Sequence, residues 1–193
     1  HNDFRDQKIE QPTFINVAAA GGYDAGLVVG KNKLWQLWYP EAELRYAFAE
    51  AGDRSVVDEA ITMLDDGAEV LFVHLPNIDF FGHSTEWMSD TYIFELRNTD
   101  AQIGRLLDWY ADAGVLETTL VIVTADHGGH GTSHGTALPE DMNVPLYIAG
   151  PNIAPDSLIE GEVSIMNVAA TVIAALGLAV PEAMAEPLVI QAP

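Results

Sequence analysis

Two short stretches of this chain concentrate side chains that bind metals. "DHGGHGTSH", residues 126–134, places three of the chain's six histidines within eight residues, beside one aspartate and three glycines. "NIDFFGH", residues 77–83, adds Asp79 and His83 in an Asp-x-x-Gly-His spacing, with Gly82 read as the point where the chain bends closely. Carboxylate oxygens and imidazole nitrogens hold zinc and related divalent ions. The chain has no cysteine, so no thiolate can contribute. Either stretch alone has a plainer reading: an aspartate N-cap with a surface histidine for the first, an Asx-turn with a chance histidine for the second. Together, Asp79, His83, Asp126, His127 and His134 offer five N/O ligands, more than the three or four of a single zinc site, which suggests two metals. His130 lies between His127 and His134 and is a substitute for His134.

These residues need elements to carry them. Residues 69–75 ("EVLFVHL") and 118–126 ("TTLVIVTAD") are continuous apolar runs that read as strands buried on both faces, and each ends where a cluster begins. Between them, residues 90–113 read as one long helix with an inner stripe of Ile93, Leu96, Ile103, Leu106, Leu107 and Tyr110, ended by Gly114. A helix of that length suits a right-handed crossover, so the two strands are expected to be neighbours in one sheet. Further strands are expected at residues 23–30 and 144–150. Helices are expected at 13–22, across Val57, Ala60, Ile61 and Leu64 with Ser55 as N-cap, and at 167–177 with Asn167 as cap. Trp35, Trp38, Tyr39 and Pro40 mark an aromatic loop. Alternating helices and apolar strands predict an α/β fold with a mainly parallel central sheet flanked by helices. Ligands in such sheets gather beyond the carboxyl ends of the strands, which is where both clusters fall.

Composition narrows the partners. The chain has 193 residues, 49% apolar and 19% charged, enough for one globular domain with a real core. Its 29 acidic against 8 basic residues give a formal net charge of −21, which should repel duplex nucleic acid and anionic membranes. No apolar run reaches the ~20 residues of a membrane span. The opening "HNDFRDQKIE" has neither an initiator methionine nor the pattern of a signal peptide, and is expected to be part of something longer. Lys31 and Lys33, in "VGKNKL", are scarce basic residues; Lys31 is a candidate for binding a substrate anion, although both also read as solvated loop lysines.

"HLPNIDFFGHSTEW", "TDAQIGRLLD", "VIVTADHGGHGTSHG" and "NVPLYIAGP" together resemble the alkaline phosphatase superfamily, and most closely its type I phosphodiesterase/nucleotide pyrophosphatase branch. The resemblance extends through "NVAATVIAALGL" near the end of the chain. It implies an alkaline phosphatase-like fold and two divalent ions, zinc with manganese as the alternative. It implies Asp79, His83 and His134 as ligands of one ion and Asp126 and His127 as ligands of the other. The implied activity is hydrolysis of a small phosphoric ester, a phosphodiester or nucleotide pyrophosphate, in a periplasmic or secreted setting. The family also uses an Asp-ended strand followed by a Thr or Ser nucleophile, and no stretch here matches either. The chain is therefore expected to be a single domain over residues 1–193 lacking its N-terminal portion, with the nucleophile upstream. A sulfatase or phosphomutase of the same superfamily, and a non-catalytic metal-binding paralogue, are the alternatives.

Overall fold

The computed structural model describes residue 9 and residues 11–37, 44–159 and 161–188. Its centre is a three-stranded parallel sheet in the order β2-β1-β3: β1 (Ala25–Val29), β2 (Leu44–Phe48) and β3 (Val70–His74). β1 is the middle strand, and all five of its residues are buried. An unbroken apolar strand is what a sheet covered on both faces requires. One cover is α1 (Phe14–Ala20) with α6 (Met166–Ala175); Ile15 and Ala18 pack with Ala25, Leu44 and Val70, against Leu176. The other is α2 (Asp53–Asp65), whose Val56, Ala60 and Met63 pack with Val28 and Ala49. Gly26 lets this face close up, since a Cβ there would lie 2.8 Å from Leu71 and 2.9 Å from Met63. The α/β class with a helix-flanked parallel sheet is as the sequence predicted.

The neighbour relation is not. β3 pairs with β1, whereas β4 (Val121–Thr124) pairs with β5 (Leu146–Ala149) in a separate two-stranded sheet, and that pair is antiparallel. Apolarity reports burial, not the hydrogen-bonding partner, so two apolar runs joined by a helix do not by themselves specify adjacency. Nor is β4 fully covered: Val121, Ile122 and Val123 are half-buried and Thr124 is exposed.

The structure corrects further details. "NIDFFGH" is not an irregular loop. It is the start of α3 (Asn77–Thr85), which puts Asp79 and His83 one turn apart on the same face. Gly82 is therefore helical rather than a bend. α4 spans Asp90–Asp112 and Gly114 lies just beyond it at φ 71°, as expected, while Ser89 is its N-cap. Its buried positions, however, are Glu95 and Thr99, and Leu96 is exposed. A polar inner stripe is invisible to a reading based on apolar periodicity. Ser55 does not cap α2; Gly52 holds that position and the Ser55 hydroxyl donates to its carbonyl. Asn167 lies inside α6, where its side chain still accepts from Ser164 N–H. Trp35 falls in a short 3-10 helix (Asn32–Leu37), while Trp38, Tyr39 and Pro40 lie outside the described residues. Among the described residues no helix is long and apolar enough to cross a membrane.

Candidate metal centre

The carboxyl ends of β1, β3 and β4 converge on Asp79. Its Oδ2 accepts from Lys31 Nζ at 2.6 Å. Lys31 follows β1 by two residues, and Gly30 between them brings the backbone against the Pro76 ring ahead of α3. The other oxygen, Asp79 Oδ1, is buried and has no hydrogen-bond partner among the described residues. Three imidazole nitrogens stand around it: His83 Nε2 at 3.5 Å, His127 Nε2 at 3.7 Å and His134 Nε2 at 3.7 Å. Asp126 Oδ2 lies 3.6 Å from His127 Nε2 on the outer rim, its side chain 73% exposed. All five predicted ligands therefore fall in one contiguous cluster, and Lys31 joins it through Asp79. Asp79, His83 and His134 form the tightest subset, with ligand atoms all within 4.8 Å of one another.

The hydrogen bonds show what this cluster accommodates. His83 Nδ1 lies 2.9 Å from Thr132 O, and His127 Nδ1 lies 2.8 Å from Gly128 O. A carbonyl oxygen only accepts, so each Nδ1 carries a proton, and in the neutral imidazole each Nε2 then presents a lone pair. Those lone pairs face a buried carboxylate oxygen that is itself only an acceptor. Acceptors converging without a donor are costly unless a cation lies between them. Backbone carbonyls fixing histidine tautomers from behind are also the usual support of metal-ligating imidazoles. Burial, and then the neighbouring His127, hold the His134 pKa below its ordinary value, favouring the neutral, ligating form. Burial raises the Asp79 pKa, but the hydrogen bond and charge of Lys31, with smaller contributions from His83 and His127, outweigh it and the net shift is downward, keeping the carboxylate ionised. The donor set fits a divalent ion.

Two supports hold the cluster in place. Asn77, two residues before Asp79, receives Asp53 N–H on Oδ1 at 3.3 Å. It donates its own N–H to Asp53 Oδ1 at 3.0 Å and its amide to Glu95 Oε1 at 2.6 Å. Thr99 adds a hydroxyl to Asp53 Oδ2 at 2.5 Å. The polar stripe of α4 thus fastens the first turn of α3 to α2. On the other side, buried Asp141 of α5 (Pro139–Met142) receives Thr136 N–H at 2.7 Å and the Thr136 hydroxyl at 2.8 Å. It also lies 2.7 Å from His130 Nδ1. These bonds, the one to His130 above all, hold its carboxyl at about 2. His130 is thereby committed to Asp141, and His134 is the histidine that joins Asp79 and His83. Gly128 and Gly129 donate to Asp141 O and Glu140 O at 2.8 and 2.9 Å, an approach that leaves no room for a Cβ on Gly128.

Sequence reasoning missed four contributors. His74 ends β3, with Nδ1 buried and unpartnered among the described residues; burial first, then Lys31, lowers its pKa. A histidine closing the apolar run five residues before Asp79 was the available signal. Asp53 left no local pattern because its partners Asn77 and Thr99 are distant in sequence, and neither Asp141 nor Trp87 stands in a spacing that marks a metal ligand.

Comparison with known proteins follows the same geometry. A family model described as Sulfatase matches residues 2–178. GPI ethanolamine phosphate transferase 1 of Neurospora crassa is 31% identical over 118 residues, 61% of this chain and 12% of that protein. Arylsulfatase K of Bos taurus is 30% identical over 89 residues, 44% of this chain and 16% of that protein. Phosphopentomutase of Clostridium beijerinckii is 31% identical over 112 residues, 58% of this chain and 26% of that protein. The matched stretches thus span at most about a quarter of these relatives' own length.

Proposed function

Because the chain belongs to the Sulfatase family, within the alkaline phosphatase superfamily, whose members act on phosphate and sulfate esters as hydrolases and transferases, we propose that it carries the metal-binding half of a phosphoric ester-cleaving active site. The substrate class is a small phosphodiester or nucleotide pyrophosphate. The observation that supports this reading most is the orphaned Asp79 Oδ1 surrounded by the Nε2 atoms of His83, His127 and His134. Asp79, His83 and His134 would hold one divalent ion, and His127 with Asp126 a second, zinc or else manganese. Bound there, such ions supply positive charge that polarises a phosphoryl oxygen and lowers the pKa of an attacking hydroxyl.

The chain's own residues do the rest. Lys31 neutralises Asp79 and puts a cation beside the anionic ester, which matters in a protein of net charge −21. His83 and His127 keep their tautomers through Thr132 O and Gly128 O. The nucleophile, a Thr or Ser hydroxyl, comes from a part of the protein outside these 193 residues. The low share of each relative that this chain matches supports that view. The setting we propose is periplasmic or secreted, checked by fractionating the native host.

A sulfate ester is the second reading, favoured by the family model and by the similarity to arylsulfatase K. The test compares the 193-residue chain with the full-length natural protein on bis-nitrophenyl phosphate, nitrophenyl phosphate and nitrophenyl sulfate with added zinc or manganese. The reading expects diester cleavage by the longer protein and almost none by the short chain, because removing one member of a coupled catalytic unit costs orders of magnitude. Sulfate turnover alone would favour the second reading. Inactivity of the longer protein on all three would favour a non-catalytic metal-binding role.

A further inference from the structure

Trp87 occupies an unusual position. It lies in the short link between α3 and α4, where an exposed polar turn would suffice, yet it is only 9% exposed. The residues on either side, Glu86 at φ 82° and Met88 at φ 65°, both adopt left-handed backbone, which non-glycine residues avoid. Both are exposed, so neither gains from the conformation itself. What the double turn achieves is to drive the indole inward.

The indole enters a slot between two glycines. A Cβ on Gly82 of α3 would lie 2.6 Å from the Trp87 ring, and one on Gly129 closer still. Gly82 precedes His83, and Gly129 follows His127 by two residues. Trp87 N–H also donates to Gly131 O at 2.7 Å. The ring meets His83 edge-on, centroids 5.1 Å apart at 88°, and His134 at 5.9 Å and 65°. One side chain thus touches both backbones that carry the cluster and two of its three closest-set ligands. Of the cluster's hydrogen bonds, His83 Nδ1 to Thr132 O ties α3 to the loop at one point and His127 Nδ1 to Gly128 O stays within the loop, while the Trp87 ring fills the space between the two segments.

We propose that Trp87 is a positioning residue that sets the spacing and ring orientation of His83 and His134, and so tunes both affinity and coordination geometry for the ion. This rests on the metal reading above. Packing that locks ligand rotamers is what makes a site selective rather than merely present.

The test uses the 193-residue chain stripped with chelator and titrated with cobalt(II), reading affinity by competition and coordination by the visible absorption band. Trp87→Leu is expected to weaken binding roughly 10- to 100-fold, the usual effect of losing an outer-shell support, and to change the shape of the band. Trp87→Phe, which keeps a ring in the slot, should recover most of both. Gly129→Ala keeps residue 87 a tryptophan but pushes its ring out of the slot; it should shift the band in the same direction, and it serves if Trp87→Leu does not fold. Wild-type affinity and band in a folded Trp87→Leu, or in Gly129→Ala, would overturn the inference while leaving the metal centre standing. Failure of the wild type to bind cobalt would instead overturn the metal reading, and this inference with it.

Discussion

The two sheets differ in a way that separates stability from chemistry. The parallel sheet is built round β1, buried along its whole length and covered by apolar helices on both faces. The antiparallel pair is half-open: β4 has no fully buried residue, and Tyr147 on β5 is 69% exposed. Each sheet nevertheless delivers part of one site. The parallel sheet leads to Lys31, Asp79 and His83, and β4 leads to Asp126, His127 and His134. Among the described residues, no strand pairing joins the two sheets. Around the site they meet through Trp87 N–H to Gly131 O, His83 Nδ1 to Thr132 O, and the Asp79–histidine cluster. A bound ion would therefore act as a staple between a rigid half and a loosely covered half. A site shared in this way can be assembled or lost without unfolding the core.

The comparison sharpens first at the strands. Leu27→Ala, deep in β1, should cost about 3 kcal/mol, within the usual range for emptying a buried leucine site, whereas Ile122→Ala on β4 should cost roughly 1 kcal/mol or less. Urea unfolding monitored by circular dichroism measures both, and equal losses would break the distinction. Next, zinc at about 100 times its dissociation constant should stabilise the chain by about 2.7 kcal/mol through linkage, a rise in melting temperature of roughly 5–11 °C, and His134→Ala should abolish most of it. Asp53→Ala, which leaves the Asn77 and Thr99 donors unsatisfied, should cost roughly 1–3 kcal/mol. It should also weaken zinc binding through the start of α3, whereas a matched substitution on the far end of α2 should not. Calorimetry reads both effects.

The smallest effect concerns Asp141. Its folded pKa, about 2, lies below the ordinary 3.8. A depressed carboxylate stabilises the fold above its unfolded pKa, and that contribution disappears as pH falls through the folded one. The stability gap between the natural chain and Asp141→Asn should therefore close as pH falls from about 4 to about 2. A gap that widened on acidification would contradict the His130–Asp141–Thr136 arrangement.

How much of this was legible in the sequence follows the same division. The five candidate ligands could be read because Asp and His recur at short spacing beside glycines, a local pattern. The α/β class was readable from apolar runs such as residues 69–75 and from helix stops such as Gly114. Strand partners were not readable, because Val121–Thr124 is as apolar as Val70–His74 and nothing in either names its neighbour. The polar face of α4 was hidden for a related reason: Glu95 and Thr99 are buried by hydrogen bonds to residues at least 18 positions away, and periodicity registers only apolar burial. The helix at Asn77–Thr85 was hidden behind Gly82, whose role lies in the later Trp87 rather than in its own backbone.

The metal centre stands first on Asp79, His83 and His134. The most direct measurement is a crystal structure of the 193-residue chain grown with zinc, with diffraction recorded across the zinc absorption edge. An anomalous peak is expected about 2.0–2.2 Å from Asp79 Oδ1 and from the Nε2 atoms of His83 and His134, the ordinary range for zinc–oxygen and zinc–nitrogen bonds, and no such peak in Asp79→Ala crystals. A well-ordered site with no peak there, or a peak only on exposed carboxylates elsewhere, would contradict it.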